Sequence, residues 1–232
     1  MKRLVLAFDI ERSGASSEYD TIALGASIVD SDMKELDRYC ANCYFPSETK
    51  FEPRCYDQFW SKNLELLNSL VYDGPLNKND REKEMIVGFQ EFRRKWETYA
   101  RENDFKLFLS SDNNVYDGGF VNLLITKHTS DLPIPYSTCT GEYNLFFETH
   151  SMQRGILMAN GIDEEWGLTN VIASVYEVPT CDVKHDHNPA NDAYTIAFDA
   201  QVLFGIMDKK IKRRPPVYKC ELPEWKGVNY II

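Results

Sequence analysis

The sequence has no run of apolar residues approaching the roughly 20 that a membrane span requires, so no spanning helix is expected. It has no internal repeat and no low-complexity tract, and its 12 glycines and 10 prolines do not suggest a collagen-like or disordered chain. It also lacks a positive surplus. Lys and Arg number 26 against 36 Asp and Glu, a net charge of −10, which argues against a protein that holds duplex nucleic acid by phosphate neutralisation alone. Carboxylates gathered around metal ions remain compatible with that charge, because the bound ions reverse its local sign. What is present is ordinary for a globular protein: 43% hydrophobic, 13% aromatic and 27% charged residues. At 232 residues one domain is the simplest reading, and it buries roughly 70% of its unfolded surface, enough for a core without staples.

Six cysteines stand at 40, 43, 55, 139, 181 and 220. The start, Met1 to Asp9, imitates a signal peptide only superficially, because its apolar run is five residues long and ends on an acid. An intracellular protein with reduced thiols is expected, cytoplasmic rather than nuclear. Cys40 and Cys43 have zinc-ligand spacing, but positions i and i+3 of a strand point to opposite faces, and no second pair follows.

Apolar runs predict strands at Leu4–Phe8, Thr21–Val29 and Arg38–Phe45, joined by short turns as an antiparallel meander. An irregular insert with three prolines follows at about 46–79, with a short helix near Asn63–Val71. Met85, Phe89, Phe92, Trp96 and Tyr99 recur at helical spacing and predict an amphipathic helix over Asp80–Glu102 whose stripe packs into the core. Then come a strand at Lys106–Ser110, a helix at Asp117–His128 and a long loop at Ser130–Glu148. Helices are predicted at Ser151–Asn160 and Asn170–Tyr176, with Ser151 and Thr169 as candidate caps. The last helix starts at Asn188-Pro189, cap then proline, and runs to about Asp208. The domain is therefore drawn as 1–208, and 209–232 as a basic tail beginning Lys209-Lys210-Ile211-Lys212-Arg213-Arg214. This order is an α/β layout with a mixed sheet.

The chemistry is carried by acids at strand ends and helix starts. Asp9 and Glu11 follow the first strand and, by its period of two, share a face beside Gly14. Asp117 opens the helix after the fourth strand. Asp192 lies in the first turn of the last helix, where the helix dipole favours a carboxylate, and His187 stands five residues ahead of it. Clustered carboxylates without cations repel one another, and a pair of hard divalent ions is their natural neutraliser. Oxygen ligands without cysteine favour Mg²⁺ or Mn²⁺. Two such ions suit in-line displacement at a phosphodiester, and a histidine can take the proton of the attacking water.

Three segments carry a resemblance. Asp9-Ile10-Glu11-Arg12-Ser13-Gly14 resembles the first motif of the DEDDh 3′ to 5′ exonucleases, the family of proofreading exonuclease subunits, RNase T, oligoribonuclease and the TREX enzymes. Asp112 to Phe120 resembles the second motif, in which an Asn precedes an aromatic-Asp pair, and His187 to Ala193 resembles the third. The motifs stand in the family's order, and the resemblance covers about residues 4–206. It implies an RNase H-like fold, a mixed five-stranded sheet flanked by helices, acting on 3′ ends of single-stranded DNA or RNA and releasing nucleoside 5′-monophosphates. It further implies that Asp9, Glu11 and Asp192 hold two metal ions directly, that Asp117 completes the site through water, and that His187 is the general base. His185 is a competing base without the family spacing, and no role is assigned to His128 or His150.

Two positions depart from the family pattern: Arg12 stands where Thr or Ser is usual beside the terminal nucleotide, and Asp112 replaces a frequent His. Arg12, Ser13, Gly14 and Asn113 are candidate substrate contacts, and Tyr136, Tyr143, Phe146 and Phe147 are candidates for stacking on bases at the site's mouth. Two other readings compete. One is an inactive nucleic-acid-binding or scaffold protein of the same fold, against which the complete set of acids weighs. The other is an RNase H-like nuclease cutting internally.

Overall fold

The computed structural model describes residues 2–134, 145–163 and 167–215. Five strands form one mixed sheet in the order β3-β2-β1-β4-β5. β1 (Arg3–Arg12), β2 (Thr21–Asp30) and β3 (Glu35–Asn42) are the expected antiparallel meander, while β4 (Lys106–Ser111) and β5 (Leu145–Glu148) run parallel to β1. β5 lies inside the segment expected to be a loop.

β1 is buried on both faces, which is why it reads as an unbroken apolar run. Leu4, Leu6, Phe8 and Ile10 pack against α3 (Lys78–Glu102) and α4 (Gly119–His128). Val5 and Ala7 pack on the other face against Ile196, Ala197, Ala200 and Phe204 of α7 (Pro189–Met207). The same alternation continues to Asp9 and Glu11, so both acids face the helix that carries Asp192. β1 extends through them to Arg12; they do not follow the strand.

α7 lies close enough to β2 that a Cβ on Gly25 would sit 2.1 Å from the carbonyl carbon of Pro189. Gly25 pairs with Asp9 across the β1–β2 ladder, so this bare backbone seats the start of α7 beside the acid. Asn188 caps α7 as expected, its side chain accepting from the amides of Ala190 and Asn191.

The α3 stripe is core as far as Trp96, whereas Tyr99 is exposed. The insert is more ordered than its prolines suggest: α1 (Pro53–Gln58), a 3₁₀ turn (Trp60–Lys62) and α2 (Leu64–Ser69) pack around fully buried Trp60. α5 (Thr149–Ala159) follows Glu148, and α6 (Leu168–Val175) follows Gly167. The predicted caps Ser151 and Thr169 are instead inside these helices, and Thr169 donates its hydroxyl to Asp199. After α7 the basic segment turns back: Ile211 packs beside α6, and Arg213 bridges Tyr176. Its five cationic side chains remain exposed. Cys40 is exposed and Cys43 is core, so the two do not converge. No helix among the described residues is long and apolar enough to cross a membrane.

Candidate active site

The carboxyl ends of parallel neighbours β1 and β4 meet the start of α7, the position where open α/β sheets form ligand crevices. A cleft of about 270 Å³ opens there, lined by Asp9, Ile10 and Glu11 from β1, Asp112, Asn113, Tyr116 and Asp117 after β4, His150 of α5, and His185, His187 and Asp192. All four predicted acids and His187 therefore converge from three distant parts of the chain.

Each acid is held by its own local structure. Asp117 sits in a π-helical turn, Asn114–Gly118, that precedes α4; it does not open that helix. Asn113 begins this turn, its side chain accepting from the Tyr116 amide, and Asp117 Oδ2 accepts from the Asn113 amide at 3.3 Å. Asp192 is 1% exposed, and its two oxygens accept from the amides of Asp186 (2.9 Å) and His187 (3.0 Å). Asp9 is 8% exposed, and its Oδ2 is buried without a hydrogen-bond partner. His187, in the left-handed region at φ 62°, places Nδ1 3.6 Å from Glu11 Oε1, and its ring meets Phe59 edge-on at 4.6 Å.

Burial dominates the electrostatics. It lifts the Asp9 carboxyl well above the usual range, and the charges of Glu11, Asp117, Asp112 and Asp192 lift it further. Asp117 is raised by burial and by Asp112, and Asp192 is raised by burial to about 7. Glu11 is raised by burial against the opposing pull of His187, and His187 is raised by its bond to Glu11. Gathering acids this way works against folding unless cations join them. Two oxygen sets are placed to do so, Asp9 with Glu11 and Asp192, and Asp9 with Asp112 and Asp117; within each, ligand atoms lie within 4.8 Å of one another. The sets share Asp9, whose orphaned buried oxygen fits a hard divalent ion.

Several expected contacts lie elsewhere. Arg12, Ser13 and Gly14 are buried and do not line the cleft. β1 bulges between Glu11 and Arg12. The Arg12 guanidinium stacks on Phe120, 3.4 Å from the ring centre, and donates to the carbonyls of Ser16 and Tyr19. Ser13 Oγ donates to the Lys50 carbonyl. Of the four candidate substrate contacts, only Asn113 lines the cleft. Phe146 and Phe147 belong to β5 and pack inward, on Phe8 and on Phe204 respectively, while Tyr136 and Tyr143 lie outside the described residues. His128 pairs with Glu82, but His150, assigned no role from sequence, lines the cleft. Phe59 gave no local signal because it reaches His187 through the fold of the insert.

No protein-family model matches the chain, and neither does any curated protein. Solved structures do. A moderately thermophilic exonuclease I from Methylocaldum szegediense superposes with a TM-score of 0.55 over 90% of this chain, at 12% identity. The zinc-bound form of an E. coli ExoI–ssDNA complex gives 0.56 over 90% at 14% identity, and E. coli exonuclease I with a dA16 oligonucleotide gives 0.54 over 88% at 12%. The fold is RNase H-like. This chain spans 41%, 43% and 41% of those three chains, so the RNase H-like fold is what they share.

Proposed function

We propose that this protein is a metal-dependent 3′ to 5′ exonuclease that hydrolyses the terminal phosphodiester of single-stranded DNA or RNA and releases nucleoside 5′-monophosphates. The observation that carries this reading is the convergence of Asp9, Glu11, Asp117 and Asp192 with His187 in one cleft, on a fold shared with exonuclease I. Asp9, Glu11 and Asp192 would hold the ions, Mg²⁺ or Mn²⁺, with Asp117 and Asp112 completing the second position. Two bound ions would supply charge neutralisation at the scissile phosphate and a more acidic attacking water.

The chain's own residues do the rest. Glu11 and Phe59 fix the His187 ring, and with Nδ1 turned to Glu11 the other ring nitrogen takes the water's proton. Asn113 and Tyr116 flank the acids and position the 3′ end. Residues 1–208 form the catalytic domain, with 209–232 as its basic tail. A reducing compartment, the cytoplasm, completes this reading.

The test is degradation of DNA and RNA oligonucleotides labelled at the 5′ end, with and without a 3′ block. Ladders forming in Mg²⁺ from free 3′ ends alone, abolished by EDTA and by Asp192→Ala, are expected. Cleavage of a circular single strand, or binding without consumption in Mg²⁺ and Mn²⁺, would overturn the reading.

A further inference from the structure

His185 has no part in the reaction just described, yet it is built into the cleft. Its Nε2 lies 3.1 Å from Asp192 Oδ2 and its ring stands 5.2 Å from that of His187. His185, His187 and Asp192 each offer one ligand atom, all within 4.8 Å of one another. A tetrahedral ion with bonds of about 2.0–2.1 Å to imidazole separates its ligands by roughly 3.3 Å. The His185–Asp192 pair is already near that spacing, and His187 is within a small side-chain movement of it.

Three further features support a metal site here. The amides of Asp186 and His187 hold the Asp192 carboxylate in place, the kind of outer support that ligating carboxylates have. Both imidazoles are nearly half exposed, at 44% and 45%, so an ion reaches them from solvent. His150 lines the same cleft, outside the group of three ligand atoms, and makes its lining richer in imidazole.

We propose that His185, His187 and Asp192 form a second kind of cation site, selective for Zn²⁺ and similar imidazole-preferring divalent ions over Mg²⁺. The selectivity follows from the donors. Two nitrogens and one oxygen suit zinc, whereas the neighbouring all-oxygen sets suit harder ions. Asp192 is common to both kinds of site, so the two compete for it. Zinc held here also occupies His187, and this consequence rests on the exonuclease reading: low zinc inhibits the Mg²⁺-supported reaction by removing its base.

The experiment titrates the full-length chelator-stripped protein with ZnCl₂ and, separately, MgCl₂ by calorimetry, and with CoCl₂ by visible absorption. His185→Gln is expected to weaken Zn²⁺ binding at least tenfold, to change Mg²⁺ binding less than threefold, and to abolish the intense tetrahedral cobalt bands. Zinc should also shift the ring resonances of His185 and His187 in the unsubstituted protein, a readout that needs no variant. Equal zinc affinity in the His185→Gln protein, or histidine resonances that ignore zinc, overturns the site. Binding is measured without substrate, so the two readings fail separately. His185-dependent zinc binding in a protein with no Mg²⁺-supported nuclease activity keeps the site and sinks the exonuclease. Activity with His185-independent zinc inhibition does the reverse.

Discussion

The two faces of β1 are built from the same strand and end differently. On the α3 and α4 side Leu4, Leu6, Phe8 and Ile10 are apolar to the end and at most 2% exposed. On the α7 side Val5 and Ala7 give way to buried Asp9 and partly buried Glu11, two acids whose charges repel each other and those of Asp117, Asp112 and Asp192. The first face contributes to stability along its whole length. The second gives up stability over its last turn of pleat, where oxygen ligands are gathered, and perturbed carboxyls of this kind mark functional sites. Adjacent residues on one strand therefore have opposite energetic roles.

Substituting neighbours across that divide gives the largest effects. Asp9→Asn should slow Mg²⁺-supported degradation by at least about 10³-fold, equivalent to roughly 4 kcal/mol of barrier, while the metal-free protein becomes more resistant to urea because a buried repelled charge is gone. Phe8→Ala should do the opposite. Phe8 is fully buried between Phe89 and Phe146, and its truncation should cost about 3–5 kcal/mol of stability. Its effect on the rate per folded molecule should be small. Urea unfolding and initial rates on a labelled oligonucleotide check both. An Asp9→Asn protein that is less stable than the parent would break the contrast.

This division was partly legible in the sequence, and the boundary is physical. β1, the α3 stripe, the Asn188 cap and the spacing of His187 to Asp192 are local patterns, readable because strand and helix periods act within a few residues. β5 was hidden because four residues carry too little periodicity to stand out from a loop. Ser151 and Thr169 carry a capping preference, but packing placed them inside helices and gave Thr169 a partner on α7. Arg12 is long enough to turn inward, and only the β1 bulge and Phe120 decide that it does. Phe59 reaches the His187 ring through the insert and His150 reaches the cleft through α5, so their roles depend on tertiary contacts that no motif spells out. Gly25 belongs with them.

At Gly25 the two faces can be tested through the backbone. An added methyl would collide with backbone atoms of Pro189 and Ala190 at 2.1–2.3 Å, and backbone cannot swing aside as a side-chain tip can. Gly25→Ala should therefore lift the start of α7, costing about 1–3 kcal/mol and separating Asp192 from Asp9. The expected signature is a loss of Mg²⁺ affinity larger than the loss of stability predicts. The same substitution on the opposite side of the sheet would not produce it. Calorimetric Mg²⁺ titration beside urea unfolding separates the two, and unchanged Mg²⁺ binding would show that the helix start does not set the site.

Asp199 sharpens the contrast from the other direction, since it is an acid two turns along α7 from Asp192 with no place in the cleft. Thr169 and Gln153 donate to its Oδ2 at 2.6 and 3.1 Å, yet burial still raises it to about 6 from 3.8. A carboxyl whose folded pKa lies above its unfolded one favours folding fully below the unfolded value, and that contribution is lost as pH rises through the folded one. Asp199→Asn keeps an acceptor for both donors and cannot ionise. Its stability relative to the parent should therefore be least favourable near pH 4 and improve by about 2–3 kcal/mol by pH 8, with most of the change between pH 4 and 6. Urea midpoints across that range measure it. Asp199→Asn should leave Mg²⁺ affinity as it was, which is what separates an acid buried for packing from one buried for a cation.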